Sequence, residues 1–429
     1  MPRLPDPRFA PDCAIVVDGS RVPARTGESV AAALLAAGLP LISRSPKYHR
    51  PRGPFCLAGS CGSCLVRVEG QPSVRACRTP CREGLHVETQ NAWPTAAHDL
   101  LGAVDWLAPR GLDHHHLLTR PPALNRLAVR LSRALAGTGR LPDAAPPPWP
   151  PAREERFEAL VVGGGPAGLG AAEALAAAGR RLLLVEQERR LGGRLRARLG
   201  LPGDPPLEWA GAVTAAVRRA GGEVAFGATA LGLWRDGGEP VAAVLSEDPR
   251  WLRLVRAARV VLCPGGTAEP PLFEGNDRPG IFAGRGLAAA LAEDGVVPGE
   301  RAAVLGGGPE AEALAARLRE AGMEAVAAGA APARARGRRR VTALDLADGT
   351  RLGCDTVATC SPPAPACELA REAGAAVAFD AALGAFAVRA GPDGATGVPG
   401  LWVAGEAAGS AGAGEAAAAG RRAGEAARG

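Results

Sequence analysis

Residues 56–64 read CLAGSCGSC, and the next cysteine in the chain is Cys77. The resulting spacing, Cys-x4-Cys-x2-Cys-x12-Cys, is typical of the loop that holds a plant-type [2Fe–2S] cluster. The two glycines between the first three cysteines permit the tight backbone that such a loop needs. The predicted metal ligands are Cys56, Cys61, Cys64 and Cys77.

Other uses of these cysteines remain open at this stage. They could form a zinc site or fill core space as small apolar residues, and Cys61 with Cys64 could form a thioredoxin-like redox pair. The irregular spacing differs from that of paired zinc knuckles, and no strand-to-helix turn of the redox type follows Cys61. Cys81, which lies beyond the last predicted ligand, is interpreted as a packed thiol.

The sequence around the cysteines predicts a small α+β domain. Residues 14–17 and 21–23 predict a hairpin across Asp18-Gly19. A helix rich in Ala and Leu is expected from about residue 28 to 37, and a strand from 65 to 68.

Composition bounds the class of protein. The 429 residues suffice for roughly three domains. Lys and Arg number 50 against 44 Asp and Glu, but the arginines are scattered without an aromatic and basic stripe, so no nucleic-acid partner is expected. No apolar run reaches the length of a membrane span, and the N-terminal residues lack the apolar core of a signal peptide. We therefore expect a cytoplasmic protein whose 10 cysteines serve as thiols or ligands.

A glycine-rich turn marks the beginning of the second half of the protein. A predicted strand, residues 158–162, leads into Gly163-Gly-Gly-Pro-Ala-Gly168, which opens a helix to Ala178. A second strand, residues 182–185, ends at Glu186, where a carboxylate can bond a ribose hydroxyl. This pattern predicts a dinucleotide site, and we expect FAD in preference to NAD. The predicted contacts in this first motif are Gly163, Gly165, Pro166, Ala167, Gly168 and Glu186.

A weaker copy of the motif begins at residue 302. A strand to residue 305 precedes Gly306-Gly-Gly-Pro-Glu-Ala311 and a helix to residue 321. Ala311 replaces the third glycine, and no acidic residue closes the strand after Gly322. Two interpretations stay open: an NAD(P) site at Gly306, Gly308 and Ala311, or a shortened structural lobe that binds nothing.

Lys47 and Tyr48 are the only lysine and the only tyrosine, and they lie side by side in a basic segment, residues 43–53. This segment is either a solvated loop or a contact, through Lys47 and Arg50, for an anion such as a flavin phosphate or for an acidic partner. His114–His116 are interpreted as surface or interface residues. No Ser/His/Asp triad, Walker loop or carboxylate pair stands out, so no catalytic residue is predicted.

Several segments together resemble a known family. Residues 43–53, the cysteine loop and residues 75–80, 90–94 and 113–121 are similar to the N-terminal part of sarcosine oxidase alpha subunits. The cysteine loop also resembles the [2Fe–2S] subunits of hydrogen cyanide synthase and of proline, hydroxyproline and opine dehydrogenases. Residues 163–168, 192–193, 261–265, 278–280 and 405–406 resemble the flavoprotein part of those alpha subunits. The resemblance covers nearly the whole chain.

The resemblance implies a fold class: an α+β ferredoxin-like [2Fe–2S] domain of the beta-grasp type, followed by an α/β flavoprotein with two dinucleotide-binding domains. It also implies further FAD contacts at Gly193, Gly265, Gly405 and Glu406, where Glu406 stands in place of the usual Asp. The chain ends at Gly429 without a folate-binding half, so we expect no methylene transfer to folate within it. An amine-oxidase-like flavoprotein beta subunit is the implied partner, with FMN at the subunit interface.

The predicted domains follow from these motifs. They are a [2Fe–2S] domain (12–90), an extension with a Pro-rich linker (91–153), the first part of the FAD domain (154–265), an inserted and shortened NAD(P)-binding-like domain (266–361) and the second part of the FAD domain (362–429).

The sequence thus predicts an FAD-dependent oxidoreductase that acts on CH–NH groups as a subunit of a hetero-oligomer and passes electrons through FAD and [2Fe–2S]. Two alternatives are a self-sufficient NAD(P)H-dependent reductase and a non-catalytic assembly subunit.

Overall fold

The structure is a computed structural model, which describes residues 3–46, 48–101, 122–126, 141–145, 148–247 and 250–429. It divides into two compact units. The first comprises Met1–Pro146 and Pro270–Ser361, and the second comprises Pro147–Glu269 and Pro362–Gly429.

The helices and strands are numbered in chain order. The helices are α1 (Val30–Ala36), α2 (Pro166–Ala177), α3 (Trp209–Arg219), α4 (Gly284–Asp294), α5 (Pro309–Glu320), α6 (Glu368–Glu372) and α7 (Ala413–Ala426). The first strands are β1 (Cys13–Val17), β2 (Ser20–Ala24), β3 (Ser43–Arg44), β4 (Pro51–Arg52), β5 (Leu65–Val68), β6 (Gln71–Arg75), β7 (His86–Glu88), β8 (Arg153–Val162), β9 (Leu182–Glu186), β10 (Glu223–Phe226), β11 (Ala228–Asp236), β12 (Glu239–Glu247) and β13 (Arg250–Leu262). The remaining strands are β14 (Gly266–Thr267), β15 (Ile281–Ala283), β16 (Arg301–Leu305), β17 (Glu324–Ala328), β18 (Pro332–Arg336), β19 (Ala343–Leu346), β20 (Arg351–Gly353), β21 (Thr356–Thr359), β22 (Ala364–Pro365), β23 (Val377–Asp380), β24 (Ala385–Val388) and β25 (Leu401–Val403).

The N-terminal part of the first unit is a mixed five-stranded sheet with the order β2-β1-β7-β5-β6. The hairpin β1–β2 turns at Asp18-Gly19, as the sequence predicts, and β7 pairs with β1 in parallel. Helix α1 begins after Ser29, whose hydroxyl accepts a hydrogen bond from the amide of Ala32 at 3.1 Å. Residues 30–35 of α1 are buried, so the helix supplies much of this core.

The inserted residues of the first unit form a parallel sheet with the order β15-β21-β16-β17. Helices α4 and α5 are part of this strand–helix arrangement, and both have buried leucines. After β17 the chain passes directly into the antiparallel sheet β18-β19-β20. All residues between β17 and β18 are described, and they form no helix. This lobe is therefore short for a dinucleotide-binding domain.

The second unit contains a sheet with the order β10-β9-β8-β13-β12-β11, and β25 pairs with β13 beyond that path. Strands β8, β9, β10 and β25 run parallel to the end of β13, whereas β11, β12 and the start of β13 form an antiparallel meander. Helices α2, α3 and α7 contribute to one apolar core of this unit. Within the described parts of the chain, no helix combines the length and the apolar character that crossing a bilayer requires.

Candidate cofactor sites

The structure brings the four predicted ligand cysteines together. Cys56 interacts directly with the thiols of Cys61 and Cys77, and Cys64 with that of Cys77. The amides of Ala58 and Cys61 both lie 3.4 Å from the Cys56 sulfur. Amides that point at sulfur are the contacts that a bound iron–sulfur cluster uses.

These contacts shift the pKa values of the four thiols in opposite directions. Hydrogen bonds from Cys61 and Cys77 lower the pKa of Cys56 despite its burial, and the same pairing raises the pKa of Cys61 and of Cys77. A hydrogen bond from Cys77 likewise lowers the pKa of Cys64. The opposite shifts reflect hydrogen bonds shared among the four thiols, which lie within contact of one another.

The four thiols suit a binuclear cluster, since Cys56 contacts the thiols of Cys61 and Cys77, and Cys64 contacts that of Cys77. A structural zinc ion needs four ligands around one point, whereas two irons share the four cysteines of a [2Fe–2S] centre. The residues therefore suit the cluster.

Cys81 stands apart from this group. Its side chain is buried in the core of the N-terminal part, together with Ile15 and Leu85. Burial is the main cause that raises its pKa, and the charge of Glu28 adds to it. A neutral thiol in an apolar setting suits packing, as the sequence analysis predicts.

The first glycine turn connects β8 to α2 in the predicted manner. Gly163 has φ +101, and a Cβ there would lie 2.1 Å from the carbonyl oxygen of Cys263. A Cβ at Gly168 would lie 1.7 Å from the oxygen of Gly163. These two glycines are therefore required by the fold itself.

Gly165 has a different reason to be glycine. Its φ of −76 and ψ of −174 suit any residue, and the nearest neighbour of a Cβ there would be the Gly193 Cα at 3.9 Å. The side-chain position therefore faces open space at the N-terminus of α2, where Pro166 begins the helix and the first amides lack intrahelical partners. Such a cradle fits the pyrophosphate of a dinucleotide.

Glu186 lies at the end of β9 and is buried. Its two carboxylate oxygens accept hydrogen bonds from the amides of Gly164 and Glu188, each at 2.7 Å. Burial raises its pKa, and the two amide bonds oppose that rise. The carboxylate thus fixes the glycine turn, and each of its oxygens retains a lone pair for a further hydrogen bond.

The other predicted flavin contacts lie in the second unit as well. A Cβ on Gly193 would lie 2.9 Å from the Cα of Gly165, and one on Gly405 would lie 2.8 Å from the Cβ of Ala167. A Cβ on Gly265 would lie 3.7 Å from a carboxylate oxygen of Glu406. Gly193 and Gly405 therefore lie beside the first glycine turn, whereas Gly265 and Glu406 lie next to each other.

Sequence reasoning missed Arg194. Its guanidinium lies 3.2 Å from the Glu406 carboxylate and donates a hydrogen bond to the Ala411 carbonyl at 2.9 Å. The available signal was its position directly after Gly192-Gly193, in a loop that approaches the first turn. This pair neutralises a carboxylate that the resemblance assigns to the flavin.

The second glycine turn joins β16 to α5. Gly306 has φ +110 and a Cβ there would lie 2.7 Å from the Cys360 oxygen, whereas the space around Gly308 is open. Ala311 is buried in the helix. Strand β17 ends at Ala328 without an acidic residue. The turn therefore has the shape of a nucleotide turn without the group that reads a ribose.

An ion pair further distinguishes the second turn from the first. Glu310 and Glu312 occupy the first turn of α5. The guanidinium of Arg285, from α4, lies 2.8 Å from the Glu310 carboxylate. Acidic side chains stabilise a helix N-terminus but repel an incoming pyrophosphate.

Comparisons with known proteins agree with this geometry. Residues 12–92 match the model of a 2Fe-2S iron-sulfur cluster binding domain, and residues 157–332 match that of the pyridine nucleotide-disulphide oxidoreductases. The hydrogen cyanide synthase subunit HcnA of Pseudomonas aeruginosa is 40% identical over 80 residues, which cover 19% of this chain and 76% of that subunit. The sarcosine oxidase subunit alpha of Rhizobium meliloti is 31% identical over 334 residues, or 72% of this chain.

The chain belongs to the sarcosine oxidase alpha and hydrogen cyanide synthase family. It spans 33% of the length of the sarcosine oxidase alpha subunit that it matches. The solved L-proline dehydrogenase from P. horikoshii has the same fold, with a TM-score of 0.76 and 21% identity over 99% of this chain and 74% of that one. The predicted fold class, a [2Fe–2S] domain followed by an α/β flavoprotein, is confirmed.

Within this family member, the cysteine loop packs against the inserted lobe. The carbonyl of Phe55 accepts a hydrogen bond from the amide of Ala283 at 2.9 Å. A Cβ on Gly286, the third residue of α4, would lie 2.0 Å from the carbonyl oxygen of Cys56. Sequence reasoning missed this contact, because it joins residues that are far apart in the chain.

The contact gives a testable prediction. Gly286→Ala should force α4 away from the first ligand cysteine and cost about 1–3 kcal/mol, as overpacking does. We expect a lower melting temperature and a lower iron content. Gly211 is the matched control, since it is also the third residue of a helix and a Cβ there meets nothing within 4 Å. Equal iron content and stability in Gly286→Ala and the natural protein would contradict the prediction.

Two other predicted features, Lys47 and the segment 113–121 with its His114–His116, lie outside the described residues. Arg50 is exposed, and its guanidinium lies over the Tyr48 ring at 5.1 Å.

Proposed function

We propose that this chain is the FAD and [2Fe–2S] electron-transfer subunit of a complex that oxidises an amine or imino acid. One observation carries the proposal: the chain combines a converging cysteine loop and an open first glycine turn with a second turn whose helix begins with Glu310, an acidic residue paired with Arg285. The first two features suit redox cofactors, and the third disfavours an NAD(P)H donor.

The cofactors supply complementary chemistry, because a flavin takes up two electrons and releases them singly, whereas the cluster carries one. The residues of the chain bind and orient them. The amides at the start of α2 and the open position at Gly165 hold the pyrophosphate, and Glu186 holds the adenosine ribose. The cluster is held by Cys56, Cys61, Cys64 and Cys77.

The proposed substrate is oxidised at its CH–NH bond in a partner subunit, an amine-oxidase-like flavoprotein. Names of relatives support this choice, since they include subunits of sarcosine oxidase and opine oxidase and an L-proline dehydrogenase. We include FMN at the subunit interface and a contact of Lys47 and Arg50 with an anion or the partner. A cytoplasmic location suits 10 cysteines that serve as thiols and cluster ligands, because thiols stay reduced there.

The inserted lobe distinguishes this proposal from a self-sufficient reductase. An NAD(P) site at Gly306, Gly308 and Ala311 would have to accept a pyrophosphate beside two glutamates of the first turn of α5. It would also lack an acidic residue at the end of β17. We therefore propose that this lobe binds no nicotinamide nucleotide and instead supports the cysteine loop.

NADH should consequently reduce the isolated protein slowly or not at all. The measurement is the bleaching of flavin and cluster absorbance after anaerobic mixing with NADH, and then with NADPH. Dithionite is the control that shows the flavin and the cluster to be reducible, since it should bleach both absorbances completely.

Rapid bleaching by either nucleotide would replace the proposal with the reductase. In another outcome, dithionite reduces the flavin and the cluster, but both stay oxidised when the partner complex is given substrate. That result would favour the non-catalytic assembly subunit.

A further inference from the structure

An arginine side chain lies against the cysteine loop. Arg78 directly follows the predicted ligand Cys77, and its side chain contacts Gly59, which lies between Cys56 and Cys61 in the chain. A Cβ on Gly59 would lie 2.8 Å from the Cδ atom of Arg78, 3.1 Å from its Cγ and 3.5 Å from its Nε. This one side chain therefore extends from the fourth cysteine to the segment between the first two.

The two glycines of the loop differ in this respect. Gly59 has φ +79 and Gly62 has φ +65, so both adopt the left-handed conformation that favours glycine. A Cβ on Gly62 would meet nothing within 4 Å, whereas one on Gly59 would meet the arginine. Gly59 therefore leaves the room that the Arg78 side chain fills.

The backbone around Arg78 is held on both sides. Its amide donates a hydrogen bond to the carbonyl of Arg75 at 3.0 Å, which closes a turn at the end of β6. The carbonyl of Thr79 accepts a hydrogen bond from the amide of Val30 at 2.8 Å, at the start of α1. The side chain of Arg78 is half-buried. The turn thus fixes the point from which the guanidinium reaches the loop.

The charge of this guanidinium matters because the loop has none of its own. Residues 56–64 contain only Cys, Leu, Ala, Gly and Ser. Thiolate and sulfide ligands make a [2Fe–2S] cluster anionic, its reduction adds one further electron, and the surrounding charge contributes to its reduction potential. A guanidinium stays protonated, and its interaction with a partly buried anion is stronger than in water. A cation held beside the loop therefore stabilises the reduced cluster more than the oxidised one.

We propose that Arg78 raises the reduction potential of the [2Fe–2S] cluster. The residue ligates no iron and acts through its charge, which the turn after β6 and the space at Gly59 hold beside the ligands. The proposal rests on the cluster that the proposed function assigns to Cys56, Cys61, Cys64 and Cys77. It adds a residue that favours electron entry into that cluster.

A redox titration of the loaded protein tests the proposal, with the electron paramagnetic resonance of the reduced cluster as the signal. Arg78→Gln removes the charge. At a fixed potential it should lower the ratio of reduced to oxidised cluster by about tenfold, which for a one-electron couple is a shift of about 59 mV to more negative potential. Arg78→Lys keeps the charge and should restore the ratio to within about threefold of that in the natural protein.

Arg21→Gln is the matched control, because it makes the same change of charge in the same domain. Arg21 is exposed on β2 and pairs with Glu83 at 2.9 Å. Strand β2 lies at the opposite edge of the five-stranded sheet from β5 and β6, the strands next to Cys64 and Cys77. Solvent and salt screen a charge at such a position, so the ratio should stay within about twofold.

An unchanged potential in Arg78→Gln, at full iron content, would overturn the proposal. An equal shift in Arg78→Gln and Arg78→Lys, or loss of the cluster from both, would also overturn it, because packing against Gly59 would then be the role of the residue. Loss of the cluster from Arg78→Gln alone would support it, since a cation would then be needed beside the anionic cluster. Iron and flavin analysis of the natural protein tests the proposed function separately, so these failures would leave that function standing.

Discussion

Cys61→Ser should remove most of the iron and sulfide, which we expect at about two atoms of each per chain in the natural protein. The effect is large because a serine hydroxyl does not replace a thiolate as a soft ligand. Cys61 is the best of the four positions to change, since Cys64 and Cys77 also pack in the core. Iron analysis and the low-temperature electron paramagnetic resonance of the reduced protein measure the loss.

Cys81→Ser is the control for this experiment and should keep the cluster. Because the residue is buried, a serine hydroxyl there should lower stability by about 1–3 kcal/mol. Cys81→Ala, which buries no polar group, separates lost stability from a lost ligand. Retained flavin shows that each variant is folded. Equal loss of iron from the Cys61 and Cys81 variants would mean that the ligand set is wrong.

Gly165→Val should yield a folded protein that contains no FAD. The backbone at Gly165 suits valine, and the added side chain would project into the open space where the pyrophosphate is proposed to bind. The flavin released by denaturing the purified protein is the measurement. The melting temperature without added flavin shows whether the fold survives.

Gly168→Ala provides the opposite case. A Cβ there would meet the Gly163 oxygen at 1.7 Å, so this variant should lose stability together with the flavin. Stoichiometric FAD in Gly165→Val would refute the assigned site. A natural protein that carries NAD and no flavin would refute the choice of cofactor.

Features fixed by neighbouring residues were predictable from the sequence. The strand–turn–helix units around both glycine turns and the hairpin of β1 and β2 depend on local periodicity and on glycines at tight turns. The convergence of the four cysteines follows from their spacing in the same way.

Features fixed by distant residues were not predictable. Strand β8 begins at Arg153, five residues before the apolar run from which a strand was expected, because its charged start pairs with β13. The buried Arg253 interrupts the apolar pattern of β13 and is stabilised by Glu155 and Glu223, from two other strands. The pair of Arg285 with Glu310 and the contact of Gly286 with Cys56 likewise have no local signature.

The contact between the cysteine loop and α4 has a consequence for synthesis of the protein. The ribosome completes the four cysteines about 200 residues before Gly286, which at about 5–20 residues per second is a delay of roughly 10–40 s. During that interval the nascent loop lacks the helix against which it packs. Stable acquisition of iron and sulfide should therefore follow the emergence of α4 from the ribosome.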